Sequence, residues 1–226
     1  MENLLLNIKI DVPAGCYLKH PESSALGKKI LTHSIILINE IGFENFNFKK
    51  LGALIHSNES SIYRYFESKH KLLIYLTSWY WGWIEYQMVI ETHSLTNDED
   101  KLKKAIDVLT RETKEVAIYS HINKVLLTNI IINENSKSYL TKDVDAANKE
   151  GVFMPYKRVI KRLSGMITAY CPSYEYSLSL ASTVVQGALH QQFVKAHFKT
   201  ITNFDKTHTL SHFFTDIIIK TLQDGK

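Results

Sequence analysis

Residues 46–71 read FNFKKLGALIHSNESSIYRYFESKHK, and the rest of the chain is organised around them. Phe48, Leu51 and either Leu54 or Ile55 recur at helical spacing, which predicts a first short helix with one apolar face. His56-Ser57-Asn58 interrupts that pattern, and Asn58 is a good N-cap for a second helix from Glu59 to about Phe66. The second helix buries Ile62 and Phe66 at i, i+4 and leaves Ser60, Ser61, Tyr63 and Arg64 outside. Two helices joined by so short a turn suit a helix-turn-helix, whose second helix enters the DNA major groove. An ordinary helical hairpin packed in a core has the same spacing.

The chain has 226 residues, 45% of them hydrophobic, with only four prolines and nine glycines. Long helical patterns separate these breakers, so an all-α protein with a sizeable core is expected. No run of about 18 apolar residues reads as a membrane span. The Leu4–Leu6 start lacks the charge and apolar length of a secretory signal. Cys16 and Cys171 form no metal or redox spacing, which favours a reduced, cytoplasmic protein. The net charge is +4. Between Gly27 and Leu72 there are seven Lys or Arg (28, 29, 49, 50, 64, 69, 71) against four Glu (40, 44, 59, 67), an excess of three. A local basic excess fits phosphate contact, although a solvated helical face has the same composition.

Upstream, Leu4, Leu6, Ile8, Ile10 and Val12 alternate with Leu5, Asn7, Lys9 and Asp11, the period of a short strand or extended arm. Pro13, Gly15 and Pro21 make a linker, so residues 1–22 read as an arm. A first long helix opens near Ser23-Ser24 and ends near Ile41, with Gly42 as its stop.

The run ILTHSIILINEIGFENFNFKKLGALIHSNESSIYRYFESKHKLL, residues 30–73, resembles the DNA-binding domain of TetR-family transcriptional regulators. The Ile-Gly-Phe helix ending, the Phe-Lys-Lys-Leu-Gly helix start and the Tyr-x-Tyr-Phe-x-Ser-Lys segment carry the resemblance. The turn departs from the family's Ala-Gly-Val-Ser-x-Gly-Thr: His56 replaces the turn glycine, Asn58 the capping Ser, and Ser60-Ser61 the Gly-Thr pair. His tolerates the left-handed conformation at modest cost. The resemblance implies a three-helix helix-turn-helix domain (23–72) followed by a larger helical effector-binding and dimerisation domain (73–226). It implies phosphate contacts from Ser61, Tyr63 and Lys69, the last at a helix N-terminus. Lys49 and Lys50 are placed to reach backbone or a guanine edge, and Glu59, Ser60, Tyr63 and Arg64 to read bases. Glu59 equally suits a helix start. Tyr65 and Phe66 read as core, His70 and Lys71 as solvent-facing.

A long helix then runs from Lys69 to about Thr92, with Tyr75, Trp79, Trp83 and Tyr86 on one stripe, a pattern of core packing or of a pocket wall. A further helix is expected from Asp98 to Ser120 with Leu102, Ile106, Leu109 and Thr113 inward. An apolar segment follows from Ile122 to Ile132, broken at Asn133–Ser138, then helices over 139–149 and 153–170. Trp83, Tyr86, Asn129, Met166 and Gln186 are the expected lining of an effector pocket. The last two helices, about 174–198 and 206–223, carry stripes that the resemblance assigns to a homodimer interface: Leu178, Ser182, Val185, Leu189, Phe213, Phe214 and Ile217. A monomer core would show the same stripes. His190 and His197 read as surface or interface groups, and no metal or cofactor site is expected.

The function so implied is a cytoplasmic, dimeric regulator, most simply a repressor, on a palindromic double-stranded operator, released by a small-molecule effector. The alternatives are a TetR-like architectural DNA binder or adaptor without effector and, third, a helical enzyme, for which no nucleophile-base set, paired carboxylates or metal cluster is evident.

Overall fold

The computed structural model describes residues 9–114 and 121–223. The regular elements among them are all helical, as expected: α1 (Ala25–Asn45), α2 (Phe48–Ile55), α3 (Glu59–Tyr63), α4 (Lys69–Thr92), α5 (Asp98–Thr110), α6 (Lys124–Tyr139), α7 (Val144–Lys149), α8 (Met154–Tyr170), α9 (Ser177–His197) and α10 (Leu210–Gln223). Short 3-10 turns lie at Ala14–Cys16, Pro21–Ser23 and Lys199–Ile201. None of the described helices is long and apolar enough to cross a membrane. The chain forms two compact units, Met1–Gly82 with Thr113–Pro155, and Trp83–Glu112 with Tyr156–Lys226.

In the first unit, α1 starts at Ser24, whose Oγ accepts from the Gly27 N–H at 3.1 Å. Its apolar face, Ile30, Leu31, Ile35 and Ile38, is buried. Gly42 (φ 76°, ψ 156°) breaks the helix where the stop was expected and lets Phe43 and Phe46 fold back into the core. From Leu72 to Gly82 the next long helix, α4, is buried on every face, which makes it the central column of this unit. The aromatic stripe is therefore core here. Its polar tips are met by Glu22, whose Oε1 accepts from Tyr75 Oη and Trp79 Nε1, each at 3.1 Å.

Several expectations change, among them the helix over 139–149, which begins only at Val144, and the helix expected to reach about Phe66, which ends at Tyr63. The break at Asn133–Ser138 does not occur, because α6 continues through it. The polar side chains find partners: Ser138 Oγ lies 2.8 Å from Thr77 Oγ1 in the core, and exposed Asn133 bonds back along its own helix to the Asn129 carbonyl at 2.9 Å. The helix expected over 98–120 ends at Thr110; its residues 115–120 lie outside the described residues, as do Leu4, Leu6 and Ile8 of the alternating arm. The arm's described part keeps the alternation, Ile10 and Val12 buried and Lys9 and Asp11 exposed, without forming a strand. Lys71, expected in solvent, instead donates to the Gly15 carbonyl at 3.1 Å and pairs with Glu150 at 3.5 Å.

Residues 113–155 join this unit rather than the remainder of 73–226 because polar bonds fasten α6 to α1. Thr32 Oγ1 donates to the His121 carbonyl at 2.6 Å and Asn39 Nδ2 to the Leu126 carbonyl at 2.9 Å. Glu44 pairs with Lys137 at 2.7 Å.

In the second unit, Leu102, Ile106 and Leu109 of α5 are buried as their spacing predicts. Helix α8 buries Val159, Ile160, Leu163 and Ile167. Helices α9 and α10 approach closely at Gly187, where an added Cβ would meet the Phe214 ring at 3.2 Å.

Candidate nucleic-acid interface

Helices α2 and α3 are each capped by an asparagine. Asn47 Oδ1 accepts from the Lys50 N–H at 2.9 Å, and Asn58 Oδ1 from the Ser61 N–H at 2.9 Å. Between them His56 adopts φ 53°, ψ 47°, the left-handed conformation expected of it. A feature missed in the sequence is Gly52. The Ser57 N–H donates to the Gly52 carbonyl at 2.9 Å, and a Cβ at Gly52 would lie 2.7 Å from the Ser57 carbonyl oxygen. The turn thus leaves no room for a Cβ at position 52. Of the two readings for the first apolar face, Ile55 is buried and Leu54 is exposed.

The side chains on this head divide into two sets. Lys49, Tyr63 and Arg64 point outward. Tyr63 is 47% exposed and braces its ring edge-on against Phe48 at 5.0 Å between centroids. Lys49 and Arg64 are exposed. The second set is tied inward. Lys50 Nζ donates to the Asn45 carbonyl at 2.8 Å. Ser60 Oγ and Ser61 Oγ both donate to Asn58 Oδ1, at 3.0 and 2.5 Å, so their protons serve the cap. Glu59, half-buried, sits in the first turn of α3, where a carboxylate favours the helix dipole.

Lys69 changes most. Expected on a phosphate, its ammonium instead lies within hydrogen-bond distance of three carbonyls, Phe43 (3.0 Å), Glu44 (3.0 Å) and Phe46 (3.2 Å). It also sits over the Phe43 ring, 4.9 Å from the centroid. An ammonium has three N–H donors, and here all three have partners. Lys29 acts similarly at the end of α2, donating to the Ile55 carbonyl at 2.8 Å, a cation at a helix C-terminus. The segment before α1 is fastened beside the loop after α3: the Leu18 N–H donates to the Tyr65 carbonyl at 2.8 Å, Lys19 lies over the Tyr65 ring at 5.3 Å, and Ser24 Oγ is 2.8 Å from Tyr65 Oη. Tyr65 and Phe66 are core, as read.

The expected effector residues do not converge. Asn129 is exposed and belongs to the first unit. In the second unit, Trp83 is buried and Tyr86 half-buried. Met166 lines a depression of about 230 Å³, whereas Gln186 lines a separate, shallower one of about 610 Å³ with Tyr156, Ser182, Thr183, Gly187 and His190. Gln186 Nε2 donates to Tyr156 Oη at 2.5 Å.

The expected interface residues also divide. Val185, Leu189 and Phe214 are buried within their own unit and have no surface left for a partner. Leu178, Phe213 and Ile217 are 56%, 42% and 37% exposed, with Ser182 half-buried. Two stripes run along these helices, and only one faces out. His190 and His197 are exposed, the latter against the Phe193 ring at 4.6 Å. Among the described residues no group of three His, Cys, Asp or Glu is placed to hold a metal.

No protein-family model matches the chain, and no curated protein matches it significantly. Solved structures do. AibR, in a crystal structure with isovaleryl coenzyme A and operator DNA, aligns over 86% of this chain and 97% of its own at 16% identity and a TM-score of 0.54. FadR from Bacillus halodurans, described as a fatty acid degradation regulator, aligns over 90% and 96% at 18% identity and TM-score 0.53. The superantigen PfiT aligns over 89% and 97% at 15% identity and TM-score 0.57. The chain therefore shares the fold of these solved structures. The PfiT match shows that this fold is not confined to proteins described as regulators.

Proposed function

We propose that the chain is a sequence-specific DNA-binding transcriptional regulator, acting as a homodimer on a palindromic operator and released from it by a small molecule. The observation that carries this reading is the division of side chains on the head. The turn is built to a tight tolerance by Gly52, His56 and Asn58, and a cation, an aromatic hydroxyl and a guanidinium (Lys49, Tyr63, Arg64) are left outward on it. Arg64 suits a guanine edge, and Lys49 and Tyr63 suit phosphates. Lys69 is assigned to holding the α1–α2 turn, and Lys50, Ser60 and Ser61 to the local caps.

The dimer reading is supported by the outward stripe of Leu178, Phe213 and Ile217, apolar groups on two adjacent helices. A two-fold partner would set two copies of α3 about 34–36 Å apart, one turn of DNA. Release follows if an effector binds more tightly to a conformer in which that spacing is wrong. AibR, which shares the fold, was crystallised with both an acyl coenzyme A and its operator.

Footprinting with the purified protein on genomic fragments tests the reading. A protected palindromic site is expected, with Arg64→Ala weakening it about tenfold or more and relaxing base preference within each half-site. Protection that is absent at low salt, or that Arg64→Ala and Tyr63→Ala leave unchanged, overturns it.

A further inference from the structure

Helix α8 carries Lys157, Arg158, Lys161 and Arg162 and not one acidic residue. The two arginines, four residues apart, share a single carboxylate on α4. Glu85, only 8% exposed, accepts from Arg158 Nε at 2.7 Å through Oε2 and from Arg162 Nε at 2.8 Å through Oε1. A guanidinium has five N–H donors. Each arginine thus spends one on Glu85, and the terminal NH₂ groups make no hydrogen bond among the described residues. Both side chains stay open to solvent, 41% and 46% exposed.

Another arginine in the same unit shows the contrast. Arg111 meets Glu91 end-on, its two terminal nitrogens each donating to one carboxylate oxygen, with a further bond to Gln87. That arrangement closes the fork. At Glu85 the carboxylate holds two forks by their edges, fixes their direction, and cancels one of two positive charges. Side chains so fixed lose little freedom on binding, and paired guanidinium forks match phosphate oxygens.

Towards its C-terminus the same face of α8 thins to Gly165 and Ala169. An added Cβ at Gly165 would meet nothing within 4 Å. The depression of about 230 Å³ there is lined by Arg162, Gly165, Met166 and Ala169, with Asp98 and Lys101 from α5. The one acid in the lining, Asp98, is paired with Lys101 at 3.7 Å. A charged end therefore adjoins a small-residue groove.

We propose that Arg158 and Arg162 form the anion-binding end of a small-molecule site that takes a phosphate- or diphosphate-bearing compound, its carbon body lying along Gly165, Met166 and Ala169. This deepens the effector reading and rests on it for any consequence at DNA; the binding itself stands alone.

Isothermal titration of the full-length protein with sodium pyrophosphate, and separately with ADP, tests it. Saturable binding of both is expected, with Arg158→Gln and Arg162→Gln each weakening it about tenfold. Arg162→Lys, which keeps charge but loses the fork, should recover only part. Lys195→Gln, at an exposed ion pair with Glu112 on another helix, should leave binding unchanged. Variants are compared only at temperatures where circular dichroism shows them folded. The absence of saturable binding for both probes, or equal binding by the arginine variants and the parent, overturns the site. Release of operator DNA is read in a separate gel-shift arm. Pyrophosphate or ADP binding without release keeps the site and removes the effector reading; intact operator binding with no probe binding does the reverse.

Discussion

Lys69 and Glu85 are each the centre of a charged junction, one in each compact unit, and they are finished differently. Lys69 distributes three donors over three neutral carbonyls and has none left. Glu85 gathers two arginines by their Nε atoms, and their ends make no hydrogen bond among the described residues. A junction whose donors are all matched is a fastener. A junction with unmatched donors at the surface has net charge in hand and can receive something. The difference argues against reading charge by position alone: the cation at the start of α4 resembles a phosphate contact in the sequence and is half-buried with its donors on carbonyls, whereas the arginines on α8 carry no motif and are open.

The largest effect on the first unit should come not from a charge but from the turn between α2 and α3. Gly52→Ala sets a Cβ 2.7 Å from the Ser57 carbonyl, a backbone atom that cannot step aside cheaply. A loss of about 2–3 kcal/mol is expected in urea unfolding, with DNA binding impaired even where the protein is folded. A loss below half that size would mean the turn relaxes and the head is looser than described.

Lys69→Met removes three bonds to a charged donor and should cost about 2 kcal/mol by the same measurement. The salt dependence of DNA affinity should keep its slope, because no phosphate contact is lost. A slope reduced by roughly one would instead put the ammonium on the backbone of DNA and break the comparison.

The two units should also respond to acid at different points. Burial, partly opposed by Glu22, pushes His121 below its ordinary value of 6.5, so the first unit holds it neutral. The unfolded chain then binds more protons, and the His121 contribution is present above about pH 6.5 and is lost as pH falls below it. In the second unit, hydrogen bonds from Arg111 hold the Glu91 carboxyl below its ordinary 4.5, a contribution kept above that pH and lost only under it. Hydrogen exchange between pH 7 and 4 should show protection falling in α1 and α6 before it falls in α5. Replacement of His121 by Gln should remove the early loss; simultaneous loss in both units would contradict the assignment.

The smallest effect is expected at His56. A left-handed non-glycine residue costs about 1–2 kcal/mol, and glycine returns part of that as chain entropy, so His56→Gly should stabilise by up to about 1 kcal/mol. Destabilisation would indicate a contact from the imidazole.

What was legible in the sequence was local. Asn58 as cap, His56 in a left-handed turn and Gly42 as helix stop each depend on a few neighbours, and each is found as read. The all-helical architecture followed from periodicity and sparse breakers. What was not legible depends on partners distant in the chain. The carbonyls that engage Lys69 lie 23–26 residues earlier. Glu22 sat in an apparent linker yet joins Tyr75 and Trp79, more than fifty residues on. Asn133–Ser138 looked like a break because its polar groups need Thr77 and backbone carbonyls to be satisfied. On α9 and α10 periodicity marks two apolar stripes without saying which is inside; Val185, Leu189 and Phe214 are, and Leu178, Phe213 and Ile217 are not. Only the fold separates them.

The proposed role of the head is to read duplex DNA by sequence. Selection from a random duplex library, followed by anisotropy titration of the winning and scrambled duplexes at one salt concentration, tests it most directly. A preference of roughly a thousandfold or more for the selected duplex is expected, with two half-sites about 10 base pairs apart. Equal affinity for selected and scrambled duplexes, or no binding to either, would contradict it.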